Sequence, residues 1–134
     1  MTNSEYAVDM LNYFYEEGDR DLIFFGQILG AVSYDDEDRL FDKTPEQRMT
    51  DAIKLVNYLI SLGDFDVGRT IEQDGTCTYS FYKNGFQEFC VAANEMFSKN
   101  GIDNINLHAE IWLKKIHVGL PAPTIPNDIV KLFG

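Results

Sequence analysis

The sequence predicts an α+β domain that is mainly helical, with about five helices around a central helix and one small β-hairpin. Three observations carry this expectation. The stretch TPEQRMTDAIKLVNYLISLGDFDVG at residues 44–68 holds a helix whose start, apolar face and stop are all marked. Asp74-Gly75 is a tight-turn dipeptide between two alternating segments, and most remaining apolar residues recur at helical spacing. A length of 134 residues suits a single globular domain over residues 1–134, in which folding buries roughly two-thirds of the extended chain's surface. Hydrophobic residues at 45%, with 13% aromatics, supply a core that needs no staples.

Taken in order, residues 4–17 (SEYAVDMLNYFYEE) place Tyr6, Met10, Tyr13 and Phe14 on one side of a helix that Gly18 stops. Asp19 or Asp21 caps a second helix, DLIFFGQILGAVS, in which Leu22, Phe25, Ile28, Leu29 and Val32 keep helical spacing. Gly26 and Gly30 stand four apart, as in close helix packing, but the segment is too short and too acid-flanked to cross a bilayer. Residues 33–43, SYDDEDRLFDK, form a loop anchored by Leu40 and Phe41.

The central helix then opens on Thr44 as N-cap, with Pro45 at its first position and Gln47 where a capping box needs it. Met49, Ala52, Ile53, Val56, Leu59 and Ile60, widened by Leu55 and Leu62, make much of its circumference apolar, so it belongs between other elements. Gly63 suits the left-handed C′ position, and Phe65 and Val67 alternate with Asp64 and Asp66 as a half-buried strand does. Cys77, Tyr79 and Phe81 supply the hairpin's other arm. Asn84-Gly85 turns into a fourth helix, with Phe86, Phe89, Cys90, Ala93, Met96 and Phe97 on one face, ending at Asn100-Gly101. Residues 104–118 read as a fifth helix led by Leu107, Ile111 and Leu113, with a short strand around 111–113 as the alternative. Pro121, Pro123 and Pro126 keep the tail extended until Asn127 or Asp128 caps a last turn that docks Ile129, Val130, Leu132 and Phe133.

The patterns that announce chemistry do not emerge. His108 and His117 are nine apart, on opposite sides of any one helix, and so make no metal pair. Cys90 lies on an apolar face where a thiol is inert, which argues against a nucleophile pair with His108. Both Cys77 and Cys90 are expected to stay reduced as small core hydrophobes. The sequence contains no Gly-rich phosphate loop, G-x-S-x-G or H-E-x-x-H. Tested as a calcium loop from Asp35, the acidic run puts Arg39 at the fifth position and Leu40 where the turn glycine belongs, so it is not an EF-hand. The expectation is a non-enzymatic protein without cofactor or metal; the alternative is a small cytoplasmic enzyme working through scattered carboxylates. Without a basic-then-apolar leader or a run approaching 18 apolar residues, the chain is expected in the cytoplasm, away from membranes.

Charge is the strongest functional signal. The net charge is −11, and residues 1–46 hold 12 acidic residues against 3 basic, whereas residues 47–134 hold 10 against 8. Such a field repels nucleic acid and anionic lipid and attracts a basic protein. Lys114-Lys115 is the sole adjacent basic pair, so no direct nucleic-acid binding is expected. Asp35, Asp36, Glu37 and Asp38 are consecutive and cannot be buried together; with Asp42 they are the first candidates to face a basic partner. Glu16, Glu17, Asp19 and Asp21 are the second set. Tyr6, Tyr13 and Tyr34, enriched toward this acidic end, suit an interface, while Phe14 suits the core. A merely solvated acidic surface is the competing reading, and an acidic DNA-mimic inhibitor is another.

The helix DLIFFGQILGAV, the acidic connection, the helix ending LVNYLISLGDFDVG, and IWL six residues before Gly119 together resemble small bacterial immunity-type proteins encoded beside polymorphic and contact-dependent toxins. The resemblance covers about residues 20–119 and lies in apolar positions and glycines. It implies a non-enzymatic protein that binds and neutralises a cognate toxin. An acidic inhibitor would be steered to a basic toxin domain, such as a nuclease, and could occupy its substrate cleft.

Overall fold

The computed structural model describes residues 2–105 and 110–134. Its two long N-terminal helices start where short polar side chains cap them. Thr2 Oγ1 accepts the Glu5 N–H at the start of α1 (Asn3–Gly18). Thr44 and Gln47 exchange hydrogen bonds at the start of α3 (Pro45–Ser61), the reciprocal box read from the sequence.

The second helix begins later than expected. Asp19 and Asp21 do not cap it: Asp21 Oδ1 accepts the N–H of Leu22, next in the chain, and Asp19 is held by Lys115. Ile23 and Phe24 form a short strand, β1 (Ile23–Phe24), and α2 (Phe25–Ser33) follows directly, with Gln27 Oε1 accepting the Phe24 N–H. A Cβ at Gly30 would meet open space, so Gly30 is not a close-packing glycine.

The β structure is larger than one hairpin. Strands β2 (Phe65–Gln73) and β3 (Thr76–Phe81) flank Asp74-Gly75, whose residues have φ of 53° and 78° as a tight hairpin turn requires. Beyond them lies β4 (Ile111–Lys115), giving a four-stranded antiparallel sheet in the order β1-β4-β2-β3. Ile23 faces Leu113 on one side of β4, and Val67 faces Leu113 on the other. The helix expected over residues 104–118 is thus corrected to a strand over its second half. The reason is burial. A central strand covered on both faces gives a continuous apolar run, and IWL has no alternation to separate it from a buried helix. Leu107 and His108 lie outside the described residues. The described helices number six rather than about five, with α4 (Phe86–Asn100), α5 (Ile102–Ile105) and α6 (Asn127–Val130), the last continuing into a 3₁₀ turn at Lys131–Phe133.

The main core lies between one face of this sheet and the helices. Ile23, Phe65, Val67, Ile111 and Leu113 from the strands meet Phe14, Tyr15, Phe25, Val56, Leu59 and Phe89 from the helices. Tyr15 meets Phe65 edge-on at 5.2 Å, and Phe25 meets Phe89 at 5.6 Å. Half-buried Lys43 ties several of these elements together. Lys43 Nζ donates to Val32 O and Leu132 O, both at 2.7 Å, and to Asp51 Oδ2 at 2.9 Å, fastening the end of α2 and the C-terminus to α3. An ammonium has three protons, and here each has an acceptor.

Candidate protein-binding surface

Strand alternation sends the neighbours of the core residues to the opposite face of the sheet. Ile111 and Leu113 join the helix-side core, whereas Trp112, between them, does not. Its indole lies over Gly68, its partner on β2, and Nε1 donates to Thr70 Oγ1 at 3.1 Å. Tyr79 and Phe81 of β3 meet it edge-on at 5.9 and 5.5 Å. Trp112 is therefore buried, at 1% exposure, by two rings that are themselves 68% and 49% exposed. Ile116 and Val118 add further exposed apolar surface just past β4. A groove of about 490 Å³ runs along this face, lined by Tyr79, Phe81, Trp112 and Val118 together with the acids Asp19 and Asp21 and the cations Arg20, Lys114 and Lys115.

The acids of the groove come from the C-terminal end of α1 and the residues just past it. No basic residue occupies the last turn of α1, and Glu16, Glu17, Asp19 and Asp21 gather where the helix dipole disfavours negative charge. Two cations offset part of this. Arg20 pairs with Glu17 at 3.0 Å. Lys115 Nζ, fully buried, donates to Tyr15 O at 2.9 Å, Asp19 Oδ1 at 2.6 Å and Leu120 O at 2.7 Å. The Lys115 hydrogen bond, with the Gly119 N–H behind it, holds the Asp19 carboxyl below the usual carboxylate range. Asp19 is thus a structural anchor as well as part of the groove wall, whereas Glu16 and Asp21 stand exposed.

The first candidate set lies elsewhere. Asp35 Oδ1 accepts the N–H groups of Glu37 and Arg39, and Oδ2 accepts from Arg39 Nε at 3.1 Å, so the loop is closed by its own first carboxylate. These bonds, led by the one from the Arg39 backbone, hold the Asp35 carboxyl below its ordinary value. Asp38 takes the left-handed conformation at φ 59°, and Asp36, Glu37, Asp38 and Asp42 are exposed. The loop sits against the N-terminal half of α1, where Tyr6 donates to Tyr34 O at 2.8 Å. Burial pushes the Tyr6 hydroxyl up, and Asp35, Asp36 and Asp38 push it further. From Tyr6 to Gly18 the helix rises about 18 Å, so the two acidic sets stand at opposite ends of α1 and form no single cluster.

The remaining sequence candidates separate just as clearly. Phe14 is in the core, and Tyr13 is exposed, its hydroxyl accepting from Gln27 Nε2. Cys77 is not a core residue but exposed on β3, the edge strand. Cys90 is half-buried, and burial pushes its thiol up. The expected Cys90–His108 comparison falls outside the described residues through His108. Among the described residues, no three His, Cys, Asp or Glu side chains converge as a metal site, and no helix is long and apolar enough to cross a membrane. Sequence reasoning missed the aromatic cover of Trp112. Its available signal was a glycine inside a strand, Gly68, which marks close approach of another group. No family model, curated protein or solved structure matches the chain.

Proposed function

We propose that this chain is a non-enzymatic binding protein that takes a basic protein partner on the open face of its sheet, in the manner of an immunity protein neutralising a toxin domain. The observation that carries the reading is the exposed Tyr79 and Phe81 pair over Trp112, in a groove that Asp19 and Asp21, just past the end of α1, help to line. Aromatic side chains on a rigid strand anchor protein interfaces at low entropic cost, and acids around them speed encounter with a cationic surface. In this division of labour, Tyr79 and Phe81 hold the partner, Glu16 and Asp21 steer it, and Asp36, Glu37, Asp38 and Asp42 add long-range attraction from the far end of α1.

The test begins with the adjacent gene, which on this reading encodes a protein with a basic domain. With that domain as probe, Tyr79→Ala and Phe81→Ala should raise the dissociation rate, each by roughly tenfold or more. Glu16→Gln with Asp21→Asn should slow association at low salt and make no difference at high salt, where the Debye length falls below about 10 Å. Asp35 is left intact because it holds its loop, and Asp36, Glu37 and Asp38 are replaced by the amides as the comparison. Binding that survives both aromatic substitutions overturns the surface. A neighbour without a basic domain, in a metabolic operon, overturns the toxin reading and favours the carboxylate enzyme.

A further inference from the structure

We infer that β3 is a pairing edge for a second copy of this chain, with the two β3 strands antiparallel about a two-fold axis at Tyr79. This goes beyond the binding of a basic partner and does not depend on it. β3 is the last strand of the sheet, and its residues TCTYSF carry neither charge nor proline. All six are exposed except Ser80, which is half-buried. Soluble proteins protect exposed edges with lysine, proline or a covering element; β3 contains no lysine or proline, and no element among the described residues covers it.

The backbone direction follows from the neighbouring bonds. Thr70 turns its N–H away from β3, donating to Glu110 O, and Thr70 is the residue opposite Tyr79. Tyr82 donates to Val67 O on the β2 side. In an antiparallel ladder successive residues point their amides to alternate sides, so those of Cys77, Tyr79 and Phe81 are directed off the sheet. That spacing is self-complementary. A two-fold at Tyr79 sets Tyr79 opposite its own copy and Cys77 opposite Phe81, three pairs that exchange about six hydrogen bonds. The flanking charges match in the same register. Lys83 lies in the turn after one end of the strand and Asp74 in the turn before the other, so antiparallel pairing about this axis brings Lys83 of each copy toward Asp74 of the other. No other sequence is needed to complete the edge.

A six-residue strand pair buries less than the roughly 1,000 Å² of a stable interface, and each copy carries a net charge of −11. The dimer is therefore weak, concentration-dependent and strengthened by salt, opposite to the salt response expected of a basic partner. Sedimentation of the full chain in reductant, across a wide concentration range at low and high salt, should show a reversible monomer–dimer equilibrium that shifts toward dimer as salt rises. Cys77→Pro removes an N–H that points off the sheet and leaves the β2 ladder intact, so it should sediment as monomer with native circular dichroism. Lys83→Glu should weaken the dimer by roughly fivefold. If Cys77→Pro alters the dichroism, Thr78→Glu, which places like charges near the axis without removing a backbone donor, is judged by the same criterion. A monomer at every concentration and salt, or a dimer indifferent to the folded edge variant, overturns the inference. A monomer that loses a basic partner on Cys77→Pro overturns it too, and assigns the edge to that partner.

Discussion

Replacing Gly68 with alanine tests the architecture beneath the open face. At a compatible position, Gly→Ala stabilises a protein by about 0.4–1 kcal/mol through the unfolded chain. Here the sign should reverse. A Cβ at Gly68 would collide with the Trp112 indole and lie 2.6 Å from the Ser80 backbone oxygen, which belongs to the opposing strand and cannot swing aside. The indole must therefore move. Overpacking of this kind costs about 1–3 kcal/mol, and losing the bond to Thr70 costs about 1 kcal/mol. Disturbing the two edge-on ring contacts adds about 0.5–1.5 kcal/mol for each ring lost. Even after the entropic gain, a loss on the order of 2–4 kcal/mol follows, a large share of the roughly 5–15 kcal/mol typical of a whole domain. Guanidinium unfolding reads this as a lower midpoint at unchanged slope. Trp112 is the single tryptophan, so its emission should shift to the red in the folded variant as the cover opens. A variant with the wild-type midpoint and emission would refute this description of the face.

Two further outcomes follow from the core and from the Lys115 anchor. Val56 is fully buried on α3, so Val56→Asp should remove several kcal/mol of stability and leave an unfolded or far less stable chain by circular dichroism; a native-like melt would show that α3 is not central. The Asp19 carboxyl binds its proton less tightly when folded than when unfolded, so its contribution is whole above the unfolded value of about 3.9 and is lost as pH falls through the lower folded value. The stability gap between the native chain and Asp19→Asn should therefore be constant down to about pH 5 and close below about pH 4; a gap that persists unchanged in strong acid would contradict the Lys115 pairing.

Elements whose ends are set by local chemistry were legible in the sequence. Thr44, Pro45 and Gln47 act within one helical turn, and Asp74-Gly75 acts within one hairpin, so α3 and the β2–β3 turn could be read directly. What was not legible depended on distant partners. Residues 111–115 become a strand because β1 and β2 pair with their two edges, the helices cover Ile111 and Leu113, and Tyr79 and Phe81 cover Trp112 on the other face, and none of this shows in IWLKK. Likewise Ile23 and Phe24 leave the helical pattern only because β4 is there to pair with them. At the surface, acidity was plain in composition, but its division was not. Asp35 closes its own turn, Glu37 pairs with Arg39, and Asp19 serves a lysine 96 positions away, which leaves Glu16, Asp21, Asp36 and Asp38 as exposed charges directed outward. The aromatic cover of Trp112 is a product of register, since Tyr79 and Phe81 reach it across β2 over a glycine.

Trp112 offers the most direct test of the open face as a docking surface. 5-Fluorotryptophan incorporated into this chain alone gives one fluorine signal, directly beneath Tyr79 and Phe81. Titration with the basic protein encoded beside it should shift or broaden that signal in step with binding measured independently by calorimetry. A partner that binds by calorimetry while the fluorine signal stays unchanged at saturation would place the interface elsewhere and contradict the reading.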